Sequence, residues 1–241
     1  MSAVLLIARR ELAGFLRTMS GYVIIAVVLA ATGLLFNVEA VNRVQLSGEL
    51  LARFFYLSSG MVMVASVLIS MRLLAEERQT GTLALLYSSP VRDGEIVAGK
   101  FLSALAFLAL LLLCTAFMPA LIMLRGKVSA GHVAVGYAGL LLLGSACLAL
   151  GTLGSALARS QLVAGVVSGS LVLLLLLAWL LGRATEAPLS DVFASLALWQ
   201  QHFGQSFMLG LVRTRDVAYY LGVTWVALFA ATRVLEARRW R

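Results

Sequence analysis

Six apolar runs dominate the chain: Gly21–Val38, Phe54–Leu74, Phe101–Leu124, His132–Leu157, Leu162–Gly182 and Val217–Val234. A helix needs about 20 such residues to cross a bilayer, and each run is near that length. The composition agrees: 61% of the chain is hydrophobic and 12% charged, with mean hydropathy +0.98, against about 45–50% and about 25% in soluble domains. In lipid every backbone N–H and C=O needs a partner within the protein, and helices supply these internally. The expected fold class is therefore all-α integral membrane, one unit over residues 1–241 with six transmembrane helices. An even number of crossings puts both termini on one side.

The basic residues set the orientation. With the termini inside, twelve of the 19 Lys and Arg fall inside (Arg9, Arg10, Arg17, Arg72, Arg78, Arg92, Lys100, Arg159, Arg233, Arg238, Arg239, Arg241) and seven outside. That bias predicts cytoplasmic termini. The net charge of +8 is scattered, with no aromatic-interleaved groove, so nucleic acid is not an expected partner and the lipid bilayer is. Cys114 and Cys147 lie in apolar runs and read as small hydrophobes. His132 and His202 have no ligand-type neighbours in sequence, so no metal is expected. No run carries an acid or base deep in its middle, which argues against an ion-coupled carrier. Any transport energy must then come from a partner. Gly94 to Lys100 matches the start of a phosphate-binding loop, but Phe101 stands where Ser or Thr should follow; Lys100 reads instead as an interfacial base.

Three segments outside the spans carry pattern. Leu5, Ala8, Leu12, Phe15 and Met19 form a helical stripe with Arg9, Arg10, Glu11 and Arg17 mainly off it. This is either an interfacial helix or a plain leader into the first span, separated only by its angle. Gly144, Ser145, Gly151, Gly154 and Ser155, with Gly165, Ser168, Gly169 and Ser170 on the next span, suit close helix contact. Most are expected to pack within the chain; a dimer seam would use the same chemistry. Arg183–Asp216 is too apolar for a free loop and too interrupted by Gln200, Gln201, His202 and Gln205 for a span. Two half-helices re-entering the outer leaflet are expected there, with an external amphipathic hairpin as the alternative.

Between the second and third spans, Arg72–Lys100 carries eight charges around a short apolar segment, Thr82–Ser89, stopped by Pro90. Gly81 frees the chain to turn, and Thr80 or Thr82 can cap a helix. Leu83, Leu86 and Tyr87 share one face of that helix. A short amphipathic helix in a charged cytoplasmic loop is a docking device.

The same stretch, EERQTGTLALLYSSPVRDGEIVAGKF, resembles the signature loop of type-2 ABC transporter permeases. Glu76, Glu77, Arg78, Gly81, Thr82, Leu83, Leu85, Leu86, Ser89, Pro90, Val91, Gly99 and Lys100 stand at its positions. The C-terminal stretch from His202 is similar to the last segment and span of the gliding-motility-associated branch, with the nitrous-oxide-reductase maturation permeases close by. The resemblance implies a permease subunit without a catalytic site of its own, in a bacterial inner membrane. It implies two ABC ATPase subunits holding ATP and Mg, a second permease chain as a homodimer, and an auxiliary membrane or periplasmic protein. Thr82–Ser89 would be the coupling helix. Glu76, Glu77 and Arg78 would contact the ATPase or the N-terminal helix, and Leu83, Leu86, Tyr87 and Pro90 would complete the docking surface. A non-transporting scaffold that recruits a cytoplasmic partner is the alternative.

Overall fold

The computed structural model describes residues 3–42, 47–81, 91–126, 128–186 and 188–239. Thr82–Ser89 and Pro90, and with them Leu83, Leu86 and Tyr87, lie outside the described residues. The helices, in order, are α1 (Ala3–Arg17), α2 (Met19–Asn42), α3 (Ser47–Ser70), α4 (Ala75–Gln79), α5 (Asp93–Thr115), α6 (Phe117–Arg125), α7 (Ala130–Leu157), α8 (Gln161–Ala184), α9 (Leu189–Leu196) and α10 (Thr214–Arg239). Six of the described stretches are long and apolar enough to span a membrane: Met19–Val38, Gly48–Gln79, Asp93–Leu124, Ala130–Leu157, Gln161–Ala184 and Thr214–Arg238.

Two spans are broken, each for a local reason. Pro119 has no N–H to give to the carbonyl of Thr115, and the third span bends there into α6. The Thr115 hydroxyl sits 3.0 Å from the Tyr137 hydroxyl, which ties the bend to α7. The second span opens after Ser70. There the Ser155 hydroxyl of α7 accepts from the N–H groups of Leu74 (3.1 Å) and Ala75 (3.0 Å) and donates to the carbonyl of Met71 (3.3 Å). One side chain thus satisfies three backbone groups freed by the break.

Helix α7 is the hub, packed by α3, α8 and α10. It lets them in close through glycine. A Cβ on Gly136 would stand 2.1 Å from Phe55, on Gly139 2.3 Å from Phe207, on Gly144 2.4 Å from Leu108, and on Gly151 1.8 Å from Ser70. A Cβ on Gly154 would meet Ser168, whose hydroxyl donates to the Gly151 carbonyl at 3.1 Å. The small residues therefore serve mostly contacts within the chain. Gly169 faces open space instead, and Ser170 is exposed.

Helix α1 is separate from α2. The chain bends at Thr18 so tightly that a Cβ on Gly21 would lie 2.0 Å from the Phe15 carbonyl oxygen. Helix α1 then lies along α5, with Phe15 stacked on Phe107 at 5.1 Å and Ile7 filling the space above Gly99. Only the middle of the expected stripe is packed. Ala8 and Phe15 are buried and Leu12 lies against the core, whereas Leu5 is exposed and Met19 belongs to α2.

The connections differ from expectation in two places. Much of the expected loop Glu39–Arg53 is helix, since α2 runs to Asn42 and α3 begins at Ser47. In Arg183–Asp216, one eight-residue helix, α9, is followed by a π turn, Gln200–Gly204, and a 3-10 turn, Phe207–Leu209, rather than by a second half-helix. This irregular backbone is buried: Leu198, Phe203 and Phe207 are inside the core. Its polar groups are answered by neighbours. The Tyr219 hydroxyl donates to the Leu196 carbonyl (2.7 Å), the Tyr220 hydroxyl to the Leu198 carbonyl (2.9 Å), and the Trp199 indole N–H to the Ser59 hydroxyl (2.8 Å). Gly210 ends the 3-10 turn at φ 77°, against the His132 ring.

Candidate coupling site

Four charged side chains from three helices meet at one end of the bundle. Lys100, on α5, is 1% exposed. Its Nζ lies 2.8 Å from Glu77 Oε1 of α4 and 3.3 Å from Glu11 Oε1 of α1. Arg10 adds contacts of 3.0 Å to Glu11 and 3.7 Å to Glu77. Stripping an ammonium of water costs several kcal/mol unless anions replace the lost contacts; here two carboxylates do. Lys100 is thus no interfacial base. It joins residues 89 positions upstream and 23 upstream, and neither partner is visible from its own neighbourhood in sequence.

Helix α5 presents Lys100 because it starts earlier than the apolar run. The Arg92 N–H donates to Glu95 Oε2 at 3.0 Å, closing the first turn. Asp93 and Glu95 add negative charge where the helix dipole is positive. Charges that read as loop therefore form the first turns of the third span.

The acidic pair and its arginine diverge. Glu76 forms a two-bonded fork with Arg72 at 2.8 and 3.0 Å, and Arg72 also donates to the Ser20 hydroxyl at the start of α2. Glu77 turns to Lys100. Arg78 donates to the carbonyls of Ala158 and, at 3.4 Å, Ala156. Arg238 of α10 donates to the Leu157 carbonyl at 2.7 Å. Two cations thus cap the carbonyl end of α7, the end that carries partial negative charge. Gly81, at φ 75°, lets the chain leave α4 in a left-handed turn. Of the expected docking residues, Glu76, Glu77 and Arg78 lie on α4 and Gly81 just after it, with their side chains turned to separate partners; Thr82, Leu83, Leu86, Tyr87 and Pro90 are outside the described residues. A cleft of about 250 Å³ opens beside the cluster, lined by Glu11, Thr18, Arg72, Glu76, Glu77 and Lys100 among others.

A second buried polar cluster lies at the other end. His202 Nδ1 is 2.8 Å from Asp216 Oδ1, and His202 Nε2 is 3.1 Å from the Ser195 carbonyl. The Ser206 hydroxyl reaches the His202 carbonyl at 2.8 Å and also bonds Asp216 Oδ2. Tyr219 stacks on the imidazole at 3.8 Å. His202, which has no ligand-type neighbours in sequence, thus gains one carboxylate partner in space. Its partner sits 14 residues on, and the π turn brings them together. His132 also gains a partner, with Nε2 3.1 Å from the Met208 carbonyl. Among the described residues no group of His, Cys, Asp and Glu could hold a metal ion.

Fold and site together define a polytopic helical membrane unit whose charged end binds an N-terminal helix to the segment between its second and third spans. The chain belongs to the ABC-2 family transporter proteins, whose family model matches residues 22–237. A search of the curated proteins gives no match. The protein is thus a transmembrane permease component of an ABC transporter, and its family implies association with an ABC ATPase. The matched stretch covers the second to fifth spans in full and nearly all of the first and the sixth, and begins beyond α1.

Proposed function

We propose that this permease takes up the motion of a cytoplasmic ATPase pair through the Arg72–Lys100 segment and passes it to α1 and the first two spans. The observation that supports this most is Lys100, buried between Glu77 of α4 and Glu11 of α1. A push on the loop reaches α1 directly through that ammonium, and reaches α2 through Arg72 and Ser20. Thr82–Ser89 is the docking helix, with Leu83, Leu86 and Tyr87 as its apolar face. The termini are cytoplasmic, the membrane is a bacterial inner membrane, and two copies of the chain pair over two ATPases holding ATP and Mg. The resemblance of its C-terminal stretch supports a reading in the gliding or maturation branch, where an auxiliary membrane or periplasmic protein joins. In that setting the complex exports a substrate or transmits force. The irregular Arg183–Asp216 segment dips into the outer leaflet.

The deciding experiment is co-purification with its ABC ATPase, sought among the proteins encoded beside it. L83D/L86D should abolish association while the permease remains inserted in the membrane. Intact association would overturn the docking assignment. Association without any ATP-dependent change between α1 and α5 would favour the scaffold reading.

A further inference from the structure

At the end of the bundle away from Lys100, a second cleft of about 250 Å³ opens between the last turn of α8, helix α9 and the π turn. Its polar lining is Arg183, Trp179, Gln200, Gln201 and Gln205, and no carboxylate lines it. The Arg183 guanidinium lies 4.7 Å over the Trp179 ring, which holds its fork in place. Among the described residues neither this guanidinium nor the three carboxamides have a hydrogen bond or ion pair. Gln200 and Gln201 are nonetheless half-buried. Half-buried amides without a protein partner are stabilised only by water or a ligand. The cleft floor is tight: a Cβ on Gly182 would stand 3.2 Å from the Ala194 nitrogen and the Ser190 carbonyl oxygen.

The cleft sits where a membrane changes character. Arg183 is the penultimate residue of the span Gln161–Ala184. Beside it Leu180, Leu181, Val192 and Leu196 are exposed, forming an apolar track on α8 and α9. A cation and amides at a span's end, continuing into exposed leucines, match an amphiphile's head and tails. Guanidinium recognises phosphate by paired N–H donors, and carboxamides suit hydroxyl groups.

We propose that this cleft binds a phosphate diester bearing a hydroxylated, uncharged substituent, as in the head group of an anionic phospholipid. A zwitterionic choline head fits less well, because no acidic group lines the cleft to meet the ammonium. The shared chemistry is the phosphate, so a free soluble phosphate is the other source.

The test is native mass spectrometry of the full chain in detergent with phosphatidylglycerol, phosphatidylcholine or inorganic phosphate. Phosphatidylglycerol should be retained several-fold more than phosphatidylcholine. R183Q and Q200A/Q201A/Q205A should each cut that retention several-fold, while R213Q, an exposed arginine outside the cleft, leaves it unchanged. Competition by millimolar inorganic phosphate would assign the site to soluble phosphate, and its absence to the lipid. Equal retention of the two lipids, or equal loss in R213Q, would overturn the proposal.

Discussion

The two ends of the bundle carry clefts of about 250 Å³ each yet are held by different forces. At the α1 end the ties to α1 are ionic and run between separate helices, Lys100 to Glu11 and Glu77, beside a local Arg72–Glu76 pair, while Arg78 and Arg238 bond the carbonyl end of α7. At the α9 end they are mostly side chains on backbone carbonyls, from Tyr219, Tyr220, His132 and His202, with one buried histidine–carboxylate contact. Helix α8 shows the separation. Gly165 lies against Met71 and Gly182 against Ala194, and 17 residues of helix span about 25 Å. Ion pairs tolerate a change of partner and angle, while bonds to fixed carbonyls do not. The ionic ties that hold α1 are therefore suited to move and the carbonyl-bonded contacts to stay. The same contrast explains the clefts, since cations at the first are neutralised internally and Arg183 at the second is left to a ligand.

The largest expected effect breaks the ionic end. Lys100→Met leaves Glu11 and Glu77 facing one another without their ammonium. Removing one partner of a buried ionic cluster costs about 3–5 kcal/mol. The loss should appear as release of α1, read by proteolysis near Thr18 or by hydrogen exchange, with α7 still protected. K100M/E11Q/E77Q should recover most of the stability, because a neutral site no longer needs the charge. If the triple variant is as unstable as K100M, shape rather than charge holds this end.

Asp216→Ala is the matching test at the other end. It leaves the His202 Nδ1 buried without its carboxylate, a cost of about 1–3 kcal/mol, while the Ser206 hydroxyl keeps the His202 carbonyl. The π turn should open, shown by faster hydrogen exchange over Gln200–Leu209, while α1 stays docked. No rescue by neutralising a second residue is expected, since His202 Nε2 still needs its proton for the Ser195 carbonyl. Exchange rising equally at both ends would erase the distinction drawn between them.

Gly139→Ala probes the hub between the ends. The new methyl would stand 2.3 Å from Phe207, and overpacking of this kind costs about 1–3 kcal/mol. Because Phe207 belongs to the 3-10 turn, the damage should reach the α9 end and spare the Lys100 cluster, again read by hydrogen exchange. The reverse pattern would mean that α7 transmits strain along its length.

Much of this was legible in the sequence. The six apolar runs placed six helices, because length and hydropathy suffice in lipid. The glycines of α7 and the wish of residues 183–216 to be buried were visible as composition. What was hidden depends on pairing across the chain. Lys100 looked like an edge residue since its partners are on α1 and α4. His202 looked isolated because a π turn, which no periodicity announces, brings it to Asp216. Asp93 and Glu95 looked like loop because helix-starting acids and solvated acids share one composition. The stripe of α1 was half right, since a bend at Thr18 moves Met19 onto another helix.

The smallest expected effect tests how far the ionic end owes its strength to burial. Arg10 stands beside the same carboxylates as Lys100, at 3.0 and 3.7 Å, but its side chain is 66% exposed. Exposed pairs contribute about 0–1 kcal/mol and weaken with salt. Arg10→Gln should therefore shift the unfolding of α1 by well under the loss in K100M, and its effect should vanish in high salt while that of K100M persists. Burial, not the number of charges, then accounts for the lock. An Arg10→Gln loss as large as that of K100M would instead make the cluster a solvent-exposed network, and the path from α4 to α1 would run through water-screened charge rather than through one buried ammonium.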